Sequence, residues 1–158
     1  MFVRHLSHYS KLTMKENNNL WVLGHKISPV EVSGDYDLVI GETAPNVPGP
    51  PPHFHSALNE VFMVLEGKME FVINGEKKII QKGELVDLPP SVVHTFNNVG
   101  SSTCKWVNIH SPKGFLSFFT DMGISEGEPE GMKKSVEESI INKVMQTAAT
   151  YDMHIKLK

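Results

Sequence analysis

His53 and His55 stand two positions apart, and Glu60 follows five residues after His55. Residues two apart on a strand point to the same side, so both imidazoles can converge on one point. The intervening "SALN" is polar and turn-capable, which lets the chain fold back and bring the Glu60 carboxylate to that side. Two imidazoles and a carboxylate suit a divalent transition metal. His94 is the fourth candidate; it lies on a second apolar stretch, again just after a proline turn, Pro89-Pro90. A His-x-His pair, a glutamate and a histidine on a second strand together point to a metal site. One divalent transition metal per chain is expected, and the donor set suits Fe, Mn, Ni, Co, Cu or Zn alike.

The elements that must position these residues read as β-strands. Pro50 to Pro52 cannot donate to a ladder, so they belong at a strand start or edge. From Leu20 to about Ile109, short apolar runs are cut by Gly, Pro, Asn and Asp. Glu66-Gly67 and Asn74-Gly75 are turn dipeptides, and Asn-Gly between strands is a strong hairpin signal. Lys82-Gly83-Glu84 is a further turn, and Asn98 to Ser102 is another. Eight or so short strands at this spacing predict a sandwich or small barrel. If the four candidate ligands face inward, alternation also turns Phe62, Val64, Phe96 and Asn98 inward as pocket residues. Met69, Phe71 and Trp106 are further pocket candidates, with core the stronger reading for all three. His110 shares a face with Trp106 and Asn108 but lies at the strand end, so its claim on the site is weaker. His5, His8, His25 and His154 read as solvated or locally paired.

Helical signals begin only after Pro112. "GFLSFFTDMG" sets Phe115, Leu116, Phe118, Phe119 and Met122 on one broad face and closes at Gly123. "SVEESIINKVMQTAATY" reads as a second helix, with Ser135 as N-cap and Glu138 completing a capping box. Val136, Ile140, Ile141, Val144, Met145 and Ala148 form its apolar stripe, suited to packing outside the barrel. The expected layout is a mobile extension over 1–19, a β-barrel over 20–111, and a helical appendage of the same domain over 112–158.

The formal net charge of −3 and a pI near 6.2 argue against nucleic acid and acidic membranes as partners. The single cysteine, Cys104, excludes an internal disulfide and any CxxC motif. No signal-like run opens the sequence, and no stretch approaches the roughly 20 apolar residues of a membrane helix. A cytoplasmic protein is expected, with Met14 as a second candidate start.

The site residues resemble the two signature motifs of the cupin superfamily. The first runs His-x-His, four spacers, Glu, six spacers and Gly, here His53, His55, Glu60 and Gly67. Its usual opening glycine, six residues before the first histidine, is Val47 here. The second runs Gly, five spacers, Pro, one spacer, Gly, two spacers, His, three spacers and Asn. Here it is Gly83, Pro89, Ser91 in place of the second glycine, His94 and Asn98, with fifteen residues between Gly67 and Gly83. Both departures fall in turns rather than at ligands. "LWVLGHKI", "GPPPHFH", "EVFMVLEG" and "SPKGFLSFFTDMG" further resemble the bacterial quercetin 2,3-dioxygenase-like cupins.

The resemblance implies an all-β double-stranded β-helix (a cupin or jelly-roll barrel) with C-terminal α-helices packed outside. It implies His53, His55, Glu60 and His94 as metal ligands, with Glu60 also able to act as a base. The expected activity is a dioxygenase-like oxidation of a small aromatic or enol-type molecule. The alternatives are a metal-bound binding or sensing module without turnover, and a metal-dependent isomerase or lyase. The first 20 residues are too short for a helix-turn-helix, which lowers the regulator version. Both faces of "VFMVLEGKMEFVI" are apolar, so either the helices or a second subunit must cover the outer one. Cupins of this type are often dimers, and a homodimer is expected.

Overall fold

The computed structural model describes residues 18–156. His5, His8 and Met14, and nearly all of the expected N-terminal extension, lie outside the described residues. The chain forms β1 (Leu20–Val22), β2 (His25–Val30), β3 (Asp37–Thr43), β4 (His53–Phe54), β5 (Asn59–Glu66) and β6 (Lys68–Ile73). There follow β7 (Glu76–Gln81), β8 (Leu85–Leu88), β9 (His94–Asn97) and β10 (Cys104–Ser111). The remainder is α1 (Leu116–Met122), β11 (Ile124–Ser125), α2 (Gly131–Lys134), α3 (Glu138–Thr147), a 3-10 turn (Ala148–Tyr151) and β12 (His154–Ile155).

Two antiparallel sheets result. One runs β11-β1-β2-β3-β10-β5-β8 and the other β12-β4-β9-β6-β7. The turns explain the register. Asn74 and Gly75 both take positive φ, at 49° and 87°, so the β6–β7 hairpin closes through the two-residue turn that Asn-Gly favours. Leu23 and Gly24 do the same for β1–β2, at 50° and 83°, although leucine gives no such signal in sequence.

Strand alternation separates the faces. On β10, Cys104, Trp106, Asn108 and His110 are buried, while the residues between them are only partly so. The core lies between the sheets, where Phe62, Phe71, Phe96 and Trp106 pack with ring centroids 5.1 to 5.9 Å apart. Gly41 makes room for this cluster. A Cβ there would meet the Trp106 ring at 2.1 Å.

Helix α1 is fixed to the mouth of this space by β3. The buried Asp37 carboxylate accepts hydrogen bonds from the Gly114 and Leu116 N–H groups at 2.7 and 2.9 Å. That satisfies free donors at the helix start and turns Phe118, Phe119 and Met122 inward. The expected capping box at Ser135 does not form. Ser135 instead ends α2, and its hydroxyl accepts from the Gly24 N–H at 3.0 Å and donates to the Met132 carbonyl at 2.7 Å. Helix α3 starts at Glu138, with no side-chain cap. Its expected apolar stripe is only partly buried: Val144 and Ala148 are inside, whereas Val136, Ile141 and Met145 are 45%, 37% and 40% exposed. No helix among the described residues is long and apolar enough to cross a membrane.

Candidate metal centre

The two sheets bring the four candidate ligands together from opposite sides. His53 on β4 and His94 on β9 are direct register partners. Glu60 comes from β5 in the other sheet, where it faces His110 on β10. His55 lies just past β4, and its carbonyl accepts from the Ser91 N–H at 2.7 Å, which ties the two proline-led segments together. One ligand atom from each of His53, His55, Glu60 and His94 lies within 4.8 Å of the others, and all four residues are buried.

Backbone carbonyls set the histidine tautomers. The Nδ1–H groups of His53, His55 and His94 donate to the carbonyls of Pro51, Asp152 and Val92 at 2.9, 2.8 and 3.0 Å. A carbonyl can only accept, so each Nδ1 carries a ring proton, and each ring presents an Nε2 lone pair in its neutral form. Those lone pairs converge on a carboxylate: Nε2 of His94 and of His55 lie 2.8 and 3.3 Å from Glu60 Oε2. None of these three atoms has a hydrogen-bond partner of acceptable geometry. Buried lone pairs facing a carboxylate oxygen repel unless a cation lies between them. The donor set therefore fits a divalent transition metal, with the histidine orientation fixed as it is in metal sites.

Burial alone would raise the Glu60 pKa, but the His110 charge and the contacts with His110, His55 and His94 outweigh it and hold the carboxyl well below its usual range. Burial, with help from His94, pushes His53 down to about 3. His94 is raised, because the Glu60 carboxylate more than offsets its burial. The other carboxylate oxygen, Oε1, accepts from Asn108 Nδ2 at 2.9 Å and lies 3.2 Å from His110 Nε2. Asn108 and His110 thus steady Glu60 from behind. Their place on the Trp106 face was readable from period-two alternation, whereas their contact with Glu60 depends on the β5–β10 register.

A C-terminal tail clamps the ligand loop, which nothing in the spacing announced. The Asp152 carboxylate accepts from the N–H groups of Ser56, Ala57 and Leu58 at 2.9, 2.9 and 3.1 Å, and also from the Ser56 hydroxyl. These donors hold its pKa far below the ordinary value, against the opposing effect of burial. Past Asp152, β12 pairs with β4, and the Lys156 N–H donates to Pro52.

The centre opens on a small cavity, with about 50 Å³ of space open to the centre of a water-sized molecule. Phe62, Phe96 and Trp106 line it, joined by Phe115, Phe118 and Phe119, and His53 and Glu60 reach its wall. Val64 and Asn98, the other expected pocket residues, do not line it. Val64 is packed in the core. Asn98 follows the end of β9, where alternation stops; its amide donates to the Thr43 and Ser102 carbonyls at 2.7 and 2.9 Å and so secures a turn. His25, expected to be solvated or locally paired, is buried in the cavity wall and paired through Nδ1 to Thr43. His154 is half-buried and locally paired, 3.1 Å from Asp152 Oδ1.

Residues 39–110 match the family model described as a cupin domain. An uncharacterized protein of Aquifex aeolicus is 38% identical over 47 residues, covering 30% of this chain and 39% of that protein. The chain's matches span about two fifths of the length of the curated relatives, 39% and 42%. Among solved structures, a cupin-superfamily sugar phosphate isomerase from Silicibacter pomeroyi has a TM-score of 0.58 at 14% identity, covering 66% of this chain and 77% of that one. The nucleoside dehydratase Pac13 of Streptomyces has a TM-score of 0.55 at 17% identity, with 66% and 83% covered. The polyketide cyclase RemF of Streptomyces resistomycificus has a TM-score of 0.55 at 20% identity, with 65% and 79% covered. At these identities the likeness shows a shared fold.

Proposed function

With the cupin superfamily supported by the family match and the shared fold, we propose that the chain is a metal-dependent enzyme on a double-stranded β-helix. It acts on a small aromatic or enol-type molecule in a dioxygenase-like oxidation. The observation that carries this reading is the set of carbonyl-fixed Nε2 lone pairs meeting Glu60 at the wall of an aromatic cavity. His53, His55, Glu60 and His94 would hold the metal, which would supply Lewis acidity and open positions for a chelating substrate. The aromatic wall orients a flat substrate and excludes water. Glu60 receives a substrate hydroxyl proton at Oε2 while Asn108 holds Oε1 in place. Among the described residues no lysine or arginine lines the cavity, so the metal would be its one positive charge.

The test is oxygen uptake by metal-loaded protein offered flavonols and enediols. Uptake that disappears in Glu60→Gln while the metal is retained supports the proposal; silence across the panel sinks the oxidative reaction. A second reading, a non-oxidative isomerase or lyase, keeps the same residues. It is favoured by the isomerase, dehydratase and cyclase with which the fold is shared. Turnover that continues unchanged under argon would select it. Tight binding without turnover would select a binding module.

We place the enzyme in the cytoplasm as a homodimer. Leu38, Ile40, Val61, Met63, Val107 and Ile109 lie in register on the outer face of the larger sheet, and the helices pack at its β1–β11 edge. A second copy would cover that apolar face. Met63→Glu should convert a sedimenting dimer to monomer, and a monomeric wild type would overturn the assignment.

A further inference from the structure

Among the described residues, His25 is the one buried histidine of the cavity wall outside the candidate metal cluster. It is 4% exposed, and among the described residues no hydrogen bond or ring contact joins it to the four candidate ligands. Its ring sits 5.3 Å from Phe96. Burial lowers its pKa to about 4, the Pro48 carbonyl pulling weakly the other way, so the ring is neutral near pH 7.

Its proton can be placed. Nδ1 lies 3.0 Å from Thr43 Oγ1. The same oxygen accepts from Trp106 Nε1–H at 3.0 Å, and an indole N–H can only donate. Trp106 takes one of that oxygen's two lone pairs, and among the described residues Nδ1 of His25 is the acceptor within reach of the Thr43 hydroxyl proton. Nδ1 is then unprotonated and Nε2 carries the hydrogen. That Nε2 is buried and has no hydrogen-bond partner of acceptable geometry, although the Pro48 carbonyl comes close enough to the ring to raise its pKa. A buried donor left unpaired costs free energy that an acceptor would recover. The remaining wall is aromatic and aliphatic apart from His53, Glu60 and Asn108, and those belong to the metal cluster.

We propose that His25 is a ligand-recognition residue whose Nε2–H donates to an acceptor oxygen, such as a keto or ether oxygen, on an uncharged aromatic ligand. This rests on reading the cavity as the substrate site proposed above. The ligand class follows from three features together: a flat aromatic wall, no lysine or arginine among the described lining residues, and a free neutral donor on His25. The Trp106–Thr43–His25 chain is what makes Nε2 a donor rather than an acceptor.

The probes are acetophenone and ethylbenzene, of matched shape, with and without an acceptor oxygen. Each is titrated by calorimetry into full-length protein, both metal-free and Zn²⁺-loaded. Acetophenone should bind roughly tenfold more tightly than ethylbenzene. His25→Phe should remove the preference, and His25→Gln, which keeps a donor, should restore much of it. Long-range ¹⁵N–¹H spectra of wild type should show the His25 proton on Nε2 and a shift of that nitrogen with acetophenone only. Equal binding of the two probes, no binding of either, a preference that survives His25→Phe, or a proton on Nδ1 would each overturn the proposal. The metal-free arm separates it from the metal reading: a probe preference in protein that takes up no Zn²⁺ keeps the role of His25 and discards the metal centre.

Discussion

Two parts of one cavity wall use the same side chain in opposite senses. At the cluster, His53, His55 and His94 each give the Nδ1 proton to a backbone carbonyl. Across the aromatic space, His25 meets a threonine hydroxyl that already accepts from Trp106. Carbonyls leave Nε2 as a lone pair, as a metal ligand needs; the hydroxyl chain leaves Nε2 as a donor, as the proposed recognition group needs. The lesson is that a buried histidine is read from the partner of its other nitrogen, not from its burial, which is nearly the same at all four.

The largest expected effect is at the carbonyl-held set. His94→Ala removes a candidate ligand that sits opposite His53 in the β4–β9 register. Affinity for Co²⁺ or Ni²⁺ should fall by about 100-fold or more, the upper end of what even losing a ligand's support costs. His25→Phe should leave that affinity unchanged. Spectroscopic metal titration of both variants checks the contrast, and an equal loss in the two would erase the distinction between the two kinds of histidine.

A smaller effect should come from one of the carbonyl holders. Asp152 positions His55 twice, through its own carbonyl and through the carboxylate that gathers the N–H groups of residues 56–58. Asp152→Ala keeps the carbonyl but frees the loop, and metal affinity should drop about tenfold. Asp152→Asn retains an acceptor oxygen and should recover part of it. Metal-dependent hydrogen exchange at Ala57 and Leu58 reports the same coupling without any assay of turnover. No change in either readout would mean that the barrel alone orients His55.

The hydroxyl-held histidine should announce itself through pH. The His25 pKa is lowered from the usual 6.5 to about 4 in the folded chain. As pH falls from 6.5 toward 4, the unfolded chain takes up a proton that the folded one refuses. Stability is therefore full above pH 6.5 and declines through that window, by about 3 kcal/mol at its foot. His53, also depressed, acts in the same direction, but it is present in wild type and His25→Phe alike and cancels in the difference. Urea midpoints at pH 7 and pH 4.5 should converge in the variant relative to wild type. An unchanged pH slope would show that His25 charges freely in the fold.

Much of this was written in the chain at short range. Ligand spacing, the Asn74-Gly75 turn and the alternation along β10 are local signals, and local signals survive folding when nothing competes for the same groups. What escaped was decided at long range. The Ser135 hydroxyl fits a capping box until the Gly24 N–H, more than a hundred residues away, claims it. His25, expected to be solvated or locally paired, is paired but buried, because a Leu23-Gly24 turn that gives no hairpin signal in sequence pairs β2 with β1. Asn98 sat at a pocket position only while β9 was assumed to run one residue further. Asp152 carried no signal, since its meaning lies in donors on a loop that it meets only after folding.

The smallest effect is expected at a site where the motif and the backbone agree and the residue does not. Ser91 stands where the resembled motif has glycine, and its φ is +72°. That left-handed conformation strains an L-residue by roughly 1 kcal/mol, and glycine adopts it freely. Glycine also gains freedom in the unfolded chain, which returns about half of that. Ser91→Gly should therefore stabilise the fold by about 0.5 kcal/mol, seen as a raised denaturation midpoint with an unchanged slope. Its N–H still donates to His55, so metal affinity should stay where it was. A gain in stability with no change in metal binding would place control of the ligand geometry with the carbonyls on Nδ1. A shift in metal affinity would move part of that control to the turn.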